Sequence, residues 1–433
     1  MPVNIPEIGQ PRVVIIGGGY GGITLGKALK KSPFQVIMLD KNNYHCFQPL
    51  LYQVATGGLE PDSIAFPLRK LFAKQKNFYF RMAEVERIDP ALKRVYTSLG
   101  HVNYDYLVIA SGGKTNFYGN EELEEKTQGM KNVPEALNLR SLILQNFEQA
   151  NYERDTELRK ALLNFVVVGG GPTGVETAGA LAELKRHILP KDYPEMAVEE
   201  MNIHLIEGGD RLLAGMSEKS SEDSLKALEK LGVQVSFNTY VKGYDGHRLT
   251  TSDDALNMSA ETVIWSAGIT GNIIPGLKPD VIERGRIQVD ENNRILGYSD
   301  IFAIGDVALM KTEEAYPNGH PQVAPAAIQQ GDLLAANLKA IQEGKMPEAF
   351  KYFDKGSMAT IGRNKAVVDW KKLHLKGIIA WLGWMFVHLL YLIGFRNKLV
   401  VFANWVWSYI TYDKGTRLII RPYRKDEYLR VKQ

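Results

Sequence analysis

Gly17, Gly19 and Gly22 stand in the spacing G-x-G-x-x-G, with Gly21 inside the same run, and Asp40 follows 18 residues after Gly22. Such a run can hold a diphosphate. The first glycine makes a tight turn, the second lets backbone approach the phosphates, and the third lets a helix pack closely on a strand. The helix that begins there presents unpaired N–H groups and a partial positive charge to the anion. An acid ending the next strand can accept hydrogen bonds from a ribose 2′-OH. The arrangement then recurs. Gly169, Gly171 and Gly174 repeat the spacing, and Glu207 is the corresponding acid, 33 residues past Gly174. About 20 is usual, and the excess fits an insertion around ILPKDYPEMAVEE. A carboxylate at 207 would repel a 2′-phosphate, so NADH is expected rather than NADPH. Two modules need two nucleotides, most economically FAD and a nicotinamide. Gly305-Asp306 supports this assignment, because an acid ending a late strand can reach a ribityl hydroxyl of an extended flavin.

These residues require strands and helices in a fixed order. RVVIIGGGYGG opens with a β-branched run, ITLGKALKK has helical spacing, and FQVIMLD is a second short strand ending in an acid, which makes one βαβ unit. NFVVVGGGPTGVETAGALAELKRH and MNIHLIE repeat it. ETVIWSAGI is the counterpart of YDYLVIASGG in the first module, both apolar strands ending in a small-residue turn, and SDIFAIGD is a further strand. Residues 322–341 read as a helix with small residues on one face, and 357–369 as a strand or two. The expected fold is α/β: two Rossmann-like dinucleotide-binding domains and a C-terminal membrane-associating helical segment. The FAD domain would comprise 1–115 and 290–370, the NADH domain 116–289, and the anchor 371–433.

Composition limits the alternatives. The 433 residues are 45% hydrophobic and 23% charged with a net charge of +3, which excludes wholesale disorder and gives no case for nucleic acid. The single cysteine, Cys46, excludes an internal disulfide, a Cys-based metal cluster and a dithiol pair, so no metal is expected. MPVNIPEIGQPR lacks the features of a secretory signal. The charge is uneven. Residues 351–433 hold 16 Lys/Arg against 5 Asp/Glu, a balance of +11, which leaves −8 for the rest, and five of the six tryptophans lie there. The end of the chain has a separate task.

Beyond the two modules and SDIFAIGD, NNYHCFQPLLYQVATG, GGGPTGVETAG, VIWSAGI and VHLLYLIGFRNKL closely resemble type II NADH dehydrogenases, the non-proton-pumping NADH:quinone oxidoreductases among the two-dinucleotide-binding-domain flavoproteins. The resemblance covers nearly the whole chain. It implies that NADH passes a hydride to the flavin N5 and that reduced FAD passes two electrons to a quinone, menaquinone or ubiquinone. It places Glu176 near the nicotinamide and isoalloxazine as the catalytic residue, although a helix-start acid favoured by the dipole is the plainer reading. It puts Lys41, Asn42 and Pro49 along the FAD, Val85 by the adenine, Asp306 on the ribityl chain, and Ala267 and Gly268 on the NADH side. His45 either touches the cofactor region or is a packed structural histidine. The family's Ala-Gln-x-Ala-x-Gln helix is altered here: Ala324 is followed by Pro325, which removes the first glutamine side chain. Ala324 and Pro325 would border the cofactor, and Ile328 and Gln329 the quinone.

Quinones partition into lipid, so the body must reach a bilayer. GIIAWLGWMFVHLLYLIG, residues 377–394, approaches the roughly 17–25 residues needed to span. Scattered tryptophans, a second Trp-rich stretch after FRNK, and flanking Lys371, Lys372, Lys376, Arg396 and Lys398 favour the interface instead. The expected location is the cytoplasmic face of the cell membrane, peripheral or monotopic, with a homodimer also expected. A disulfide reductase and a sulfide:quinone oxidoreductase fail for want of a second cysteine. A ferredoxin-type reductase and an NADH-binding regulatory flavoprotein are the alternatives.

Overall fold

Apolar β-branched runs too short for helices build two parallel sheets, one in each of two compact units of the computed structural model, which describes residues 1–423. The first unit comprises residues 1–45, 66–114 and 269–355, and the second 46–65, 115–268 and 356 onward. These boundaries run at Ile269 and Gly356 rather than at the expected 290 and 371, and residues 46–65 cross into the second unit. The strands and helices that follow Gly356 pack within that unit, so the C-terminal segment is not a separate body. Residues 424–433 of the expected anchor lie outside the described residues.

In the first unit, five strands run parallel in the order Ile301–Ala303, Tyr106–Ile109, Arg12–Ile16, Gln35–Asp40, Phe78–Met82. Val14, Ile37, Leu39, Leu107 and Ile301 are fully or almost fully enclosed, so the sheet is buried as parallel sheets require. Helix Tyr20–Ala28 crosses helix Ala324–Gln342 at close range: a Cβ on Gly331 would come within 2.7 Å of the Gly21 carbonyl. That contact explains the small-residue face read from 322–341.

In the second unit, four parallel strands run Gln234–Ser236, Asn202–Ile206, Asn164–Val168, Thr262–Trp265. Helix Pro172–His187 leaves the second glycine turn and packs on strand Ser357–Gly362, where a Cβ on Gly179 would lie 2.7 Å from the Ile361 carbonyl. That strand belongs to an antiparallel meander with Lys365–Trp370 and Leu373–Lys376.

The meander leads directly into helix Gly377–Tyr391, a break with Gly394 at φ +90°, and helix Phe395–Thr411. The break divides the apolar stretch, and among the described residues no helix is long and apolar enough to cross a membrane. Both helices are fixed to the body by polar as well as apolar contacts. Ala380 and Trp384 are buried, Asn397 Nδ2 donates to the Asp62 and Ala65 carbonyls at 3.1 and 3.0 Å, and Trp405 Nε1 donates to Gln53 at 2.8 Å. Trp384 therefore belongs to the core, whereas Trp407 is 59% exposed.

Candidate functional site: two glycine turns and an acidic cavity

The two glycine turns match residue by residue. Gly17 N–H donates to the Leu39 carbonyl and Gly169 N–H to that of Ile206, both at 2.8 Å. Gly17 and Gly169 take φ of +108° and +106°, which L side chains rarely adopt. A Cβ on Gly22 would meet the Gly17 carbonyl at 1.9 Å, and one on Gly174 the Gly169 carbonyl at 1.8 Å. By contrast, a Cβ on Gly19 or Gly171 would meet nothing within 4 Å. Each turn thus closes tightly behind and lies open at its middle glycine, at the start of a helix. The donor set and the open approach fit a dinucleotide pyrophosphate in both places.

The acids are more engaged than their spacing suggests. Asp40 accepts from Gly18 N at 2.6 Å through one oxygen and from Asn42 N at 2.7 Å through the other. Burial raises its pKa, against those two hydrogen bonds and the Lys41 charge. Glu207 likewise accepts from Gly170 N through one oxygen and from Gly209 N at 2.6 Å through the other. Each carboxylate fastens its own glycine turn and keeps lone pairs for a ribose hydroxyl. His45 does the same from the other side of the first turn, donating through Nδ1 to the Gly18 carbonyl at 3.0 Å with its ring edge-on to Tyr20. Burial pushes its pKa down to about 4, so it is neutral. Cys46, by burial, is pushed up to about 12 and is no thiolate at neutral pH.

The remaining first-unit residues lie along the sheet's carboxyl edge and after it. Lys41 is exposed and Asn42 half-buried beyond strand Gln35–Asp40, and Val85 opens strand Val85–Asp89. The Gly305-Asp306 turn has Gly305 at φ +74°. Gly305 N donates to Gln330 Oε1 at 2.7 Å, and Gln322 Nε2 donates to the Asp306 carbonyl at 2.9 Å. A Cβ on Gly113 would lie 3.2 Å from the Asp306 carboxylate. Sequence reasoning missed Gln330, which is buried one residue after the expected Gln329. Ala324 and Pro325 do open helix Ala324–Gln342, where a missing N–H is harmless. Gln329 departs from expectation: its amide accepts from Phe353 N at 2.9 Å and donates to Phe353 O at 3.0 Å. It fastens the Phe353 backbone, so its amide is not free for a quinone. Ile328 beside it is half-buried.

In the second unit, Ala267 and Gly268 follow strand Thr262–Trp265, and Ala267 backbone atoms lie 2.8 Å from where a Gly169 Cβ would stand. Pro49 sits in a short 3₁₀ turn, Gln48–Leu50. Glu176, two residues after Gly174, turns away from the glycine loop and accepts from Thr360 N at 3.3 Å. It is 8% exposed, and burial pushes its pKa up to about 8, against the Thr360 N–H and the neighbouring Trp384 indole. Its carboxyl is therefore protonated at neutral pH and is no simple partner of the helix dipole. It lines a cavity of about 120 Å³ walled by aromatic residues, including Tyr52, Trp381, Trp384, Trp405 and Tyr409, under the two C-terminal helices. Among the described residues no group of side chains has the make-up of a metal site.

The sheets, the twin turns and their acids define a pyridine nucleotide-disulphide oxidoreductase, and that family's model matches residues 11–331. The NDH2 C-terminal domain model matches residues 355–411. Type II NADH:quinone oxidoreductase Ndh of Mycobacterium tuberculosis is 36% identical over 422 residues, 93% of this chain and 89% of that protein. The Staphylococcus aureus type II NADH:quinone oxidoreductase is 29% identical over 83% of this chain and 89% of its own length. NDH2 from Plasmodium falciparum, solved in complex with NADH, has the same fold, with a TM-score of 0.87 and 21% identity over 95% of this chain and all of that one. The chain belongs to the type II NADH:quinone oxidoreductases.

Proposed function

We propose that this chain oxidises NADH and reduces a membrane quinone, with FAD on the first glycine turn and NADH on the second. The observation that carries this reading is the duplicated turn, closed behind by Gly22 and Gly174 and open at Gly19 and Gly171. Gly17, Gly19, Gly21, Gly22 and Asp40 would hold the FAD diphosphate and adenosine ribose. Lys41, Asn42, Pro49 and Val85 lie along its length, and Asp306, its backbone pinned by Gln322, meets the ribityl chain. Ala324 and Pro325 border the same cofactor. Bound FAD supplies two-electron redox chemistry, and the protein supplies position and electrostatics. Gly169, Gly171 and Gly174 would hold the NADH diphosphate, Glu207 its ribose, and Ala267 and Gly268 its nicotinamide side. Glu176 holds a proton near the reacting groups, inside an aromatic cavity suited to a quinone ring. Ile328 remains a candidate quinone contact, with Gln329 holding the adjoining backbone.

The test is spectroscopic. Purified protein is expected to be yellow, to be bleached by NADH within milliseconds to seconds, and to recover its colour with a short-chain quinone. A colourless protein that cannot be reconstituted with FAD would remove the reading. Glu207→Gln is expected to raise the KM for NADH about tenfold, because one of the two N–H groups would then face the amide NH2, which cannot accept, and a charged hydrogen bond contributes roughly 1.5–3 kcal/mol. Discrimination against NADPH should weaken with it. An unchanged preference would take the ribose role from Glu207.

We infer further that a lipid surface covers the C-terminal helices. Ile378, Ile379, Leu382, Phe386 and Leu390 form one exposed stripe of helix Gly377–Tyr391, and Phe395, Leu399, Phe402, Val406 and Ile410 another on helix Phe395–Thr411. Phe395 is 78% exposed, and burying one such side chain stabilises by about 1.5–3 kcal/mol. Lys371 and Lys372 are exposed beside the stripes, suiting anionic lipid. Lys376, Arg396 and Lys398 instead meet Asp223, Asp62 and the Leu390 carbonyl. This surface is assigned to the cytoplasmic face, where NADH is available, and a second copy would dock with the stripes still on lipid. Phe386→Asp with Phe395→Asp is expected to release the protein from vesicles while leaving bleaching by NADH intact. Full vesicle retention of the double variant would contradict the assignment.

A further inference from the structure

Beyond Glu176, the same cavity holds two titratable groups that the reading above does not use, Glu183 and His187. Glu176, Ala180, Glu183 and His187 all line it. Their spacing of four, three and four residues puts them on one face of helix Pro172–His187. At 1.5 Å per residue the line runs about 16 Å, from the glycine turn to the far end of the helix. Ala180, the small residue in the line, leaves the space open. The far end is a built arrangement. His187 lies against Tyr412 with ring centroids 4.3 Å apart, and the Arg363 guanidinium stands 3.9 Å from the rings of both Tyr409 and Tyr412. Glu183 accepts from the Arg363 backbone N–H, and Lys414 Nζ donates to the Ala180 carbonyl at 3.3 Å.

The charges facing each group favour movement of a proton. Burial lowers His187, with Glu183 pulling the other way and Arg186, Arg363 and Lys191 adding to the lowering. Burial also lowers Lys414, which faces Glu183 and Arg417. The Tyr52 hydroxyl, which accepts from Gln53 Nε2 at 2.8 Å, faces both Glu176 and Glu183 and is raised by burial, so it stays protonated. The cavity walls are rich in aromatic side chains, with Glu176, Glu183, His187, Arg363 and Lys414 as the charged or titratable groups among them. Its volume of about 120 Å³ has room for water, since roughly 10–15 Å³ of such space holds one molecule. Arg363 Nε and Nη1 are buried donors that no protein group satisfies, and such donors are the usual partners of enclosed water.

Quinol formation needs two electrons and two protons. NADH breaks one C–H bond and delivers two electrons with one proton, as hydride. The second proton comes from water, and both new O–H bonds form on the quinone oxygens. We propose that His187 and Glu183 take this second proton from solvent and pass it along the cavity to recharge Glu176. They act through Glu176 and are positioning residues for proton transfer. The inference rests on the quinone reading of the cavity.

The experiment uses the full-length, FAD-loaded enzyme and follows each half-reaction separately by stopped flow. In Glu183→Gln and His187→Phe, reoxidation by a short-chain quinone is expected to slow about tenfold or more, less than the roughly 10²–10⁴-fold for loss of the direct proton donor. The deficit should widen as pH rises from 7 to 9, because solvent protons grow scarce. Phenylalanine keeps the stacking on Tyr412 but carries no proton, so added imidazole should restore part of the rate in His187→Phe. Reoxidation at wild-type rates across that range in both variants would overturn the relay. So would slowing of both half-reactions alike with no response to imidazole, which marks structural damage. A wild-type enzyme that is bleached by NADH but not reoxidised by quinone would remove the functional reading, and the relay with it.

Discussion

Glu176→Gln is expected to slow quinone reduction by about a hundredfold or more and to abolish its alkaline decline, an effect within the range of a lost general acid. The carboxyl lies inside the aromatic cavity, and its pKa is pushed up to about 8 chiefly by burial. On the proposed function, below that pH it would hold a proton for a quinone oxygen, and above it that donor would be lost. Glutamine keeps the shape and the contact with Thr360 N but holds no transferable proton. Stability supplies an independent check. In the unfolded chain the group titrates near the ordinary glutamate value of 4.5. Between there and about 8 the folded form binds more protons than the unfolded one, so stability falls as pH rises. The melting temperature of Glu176→Gln should fall less than that of the wild type between pH 5 and 9. Stopped-flow reoxidation and thermal melts at several pH values measure both effects. A variant that keeps the wild-type rate and its decline near pH 8 would remove Glu176 from proton transfer.

Gly22→Ala and Gly19→Ala separate folding from nucleotide binding. A Cβ at position 22 would stand 1.9 Å from the Gly17 carbonyl. That neighbour is backbone, and the turn it closes anchors both the strand and the helix, so relief requires moving the helix. Gly22→Ala should yield little folded protein and no bound flavin. A Cβ at position 19 meets no protein atom within 4 Å. Gly19→Ala should therefore keep wild-type circular dichroism and thermal stability of the flavin-free protein, yet lose most of its yellow colour, because the methyl group occupies the space a diphosphate needs. Flavin absorbance per folded chain decides the matter. A Gly19→Ala protein as yellow as the wild type would displace FAD from this turn.

Much of this was legible in the sequence because backbone constraints write themselves as glycine. Gly17, Gly22, Gly169 and Gly174 are needed whatever surrounds them, and Asp40 and Glu207 end strands whose β-branched pattern is plain. Charge and tryptophan marked the C-terminal stretch as different in composition, but not that it packs within the second unit. What the sequence hid depends on partners distant along the chain. Nothing near Gln329 announces that its amide closes on Phe353, and nothing near Gln330 shows that it holds Gly305. Trp384 and Trp407 are the same residue type in the same apolar stretch, yet one is enclosed and the other exposed. The burial that keeps Glu176 protonated likewise comes from helices two hundred residues away in the chain.

The doubly tethered acids have a practical corollary. Cofactor preference in such enzymes is commonly imagined as an exchangeable label, one side chain swapped for another. Here Glu207 is also the strap that holds Gly170 and Gly209 in place. An arginine introduced to welcome a phosphorylated ribose would leave those two amides unanswered and loosen the loop it was meant to retune. Redirecting this enzyme toward NADPH would therefore begin with a replacement acceptor for those amides, and only then with a cation.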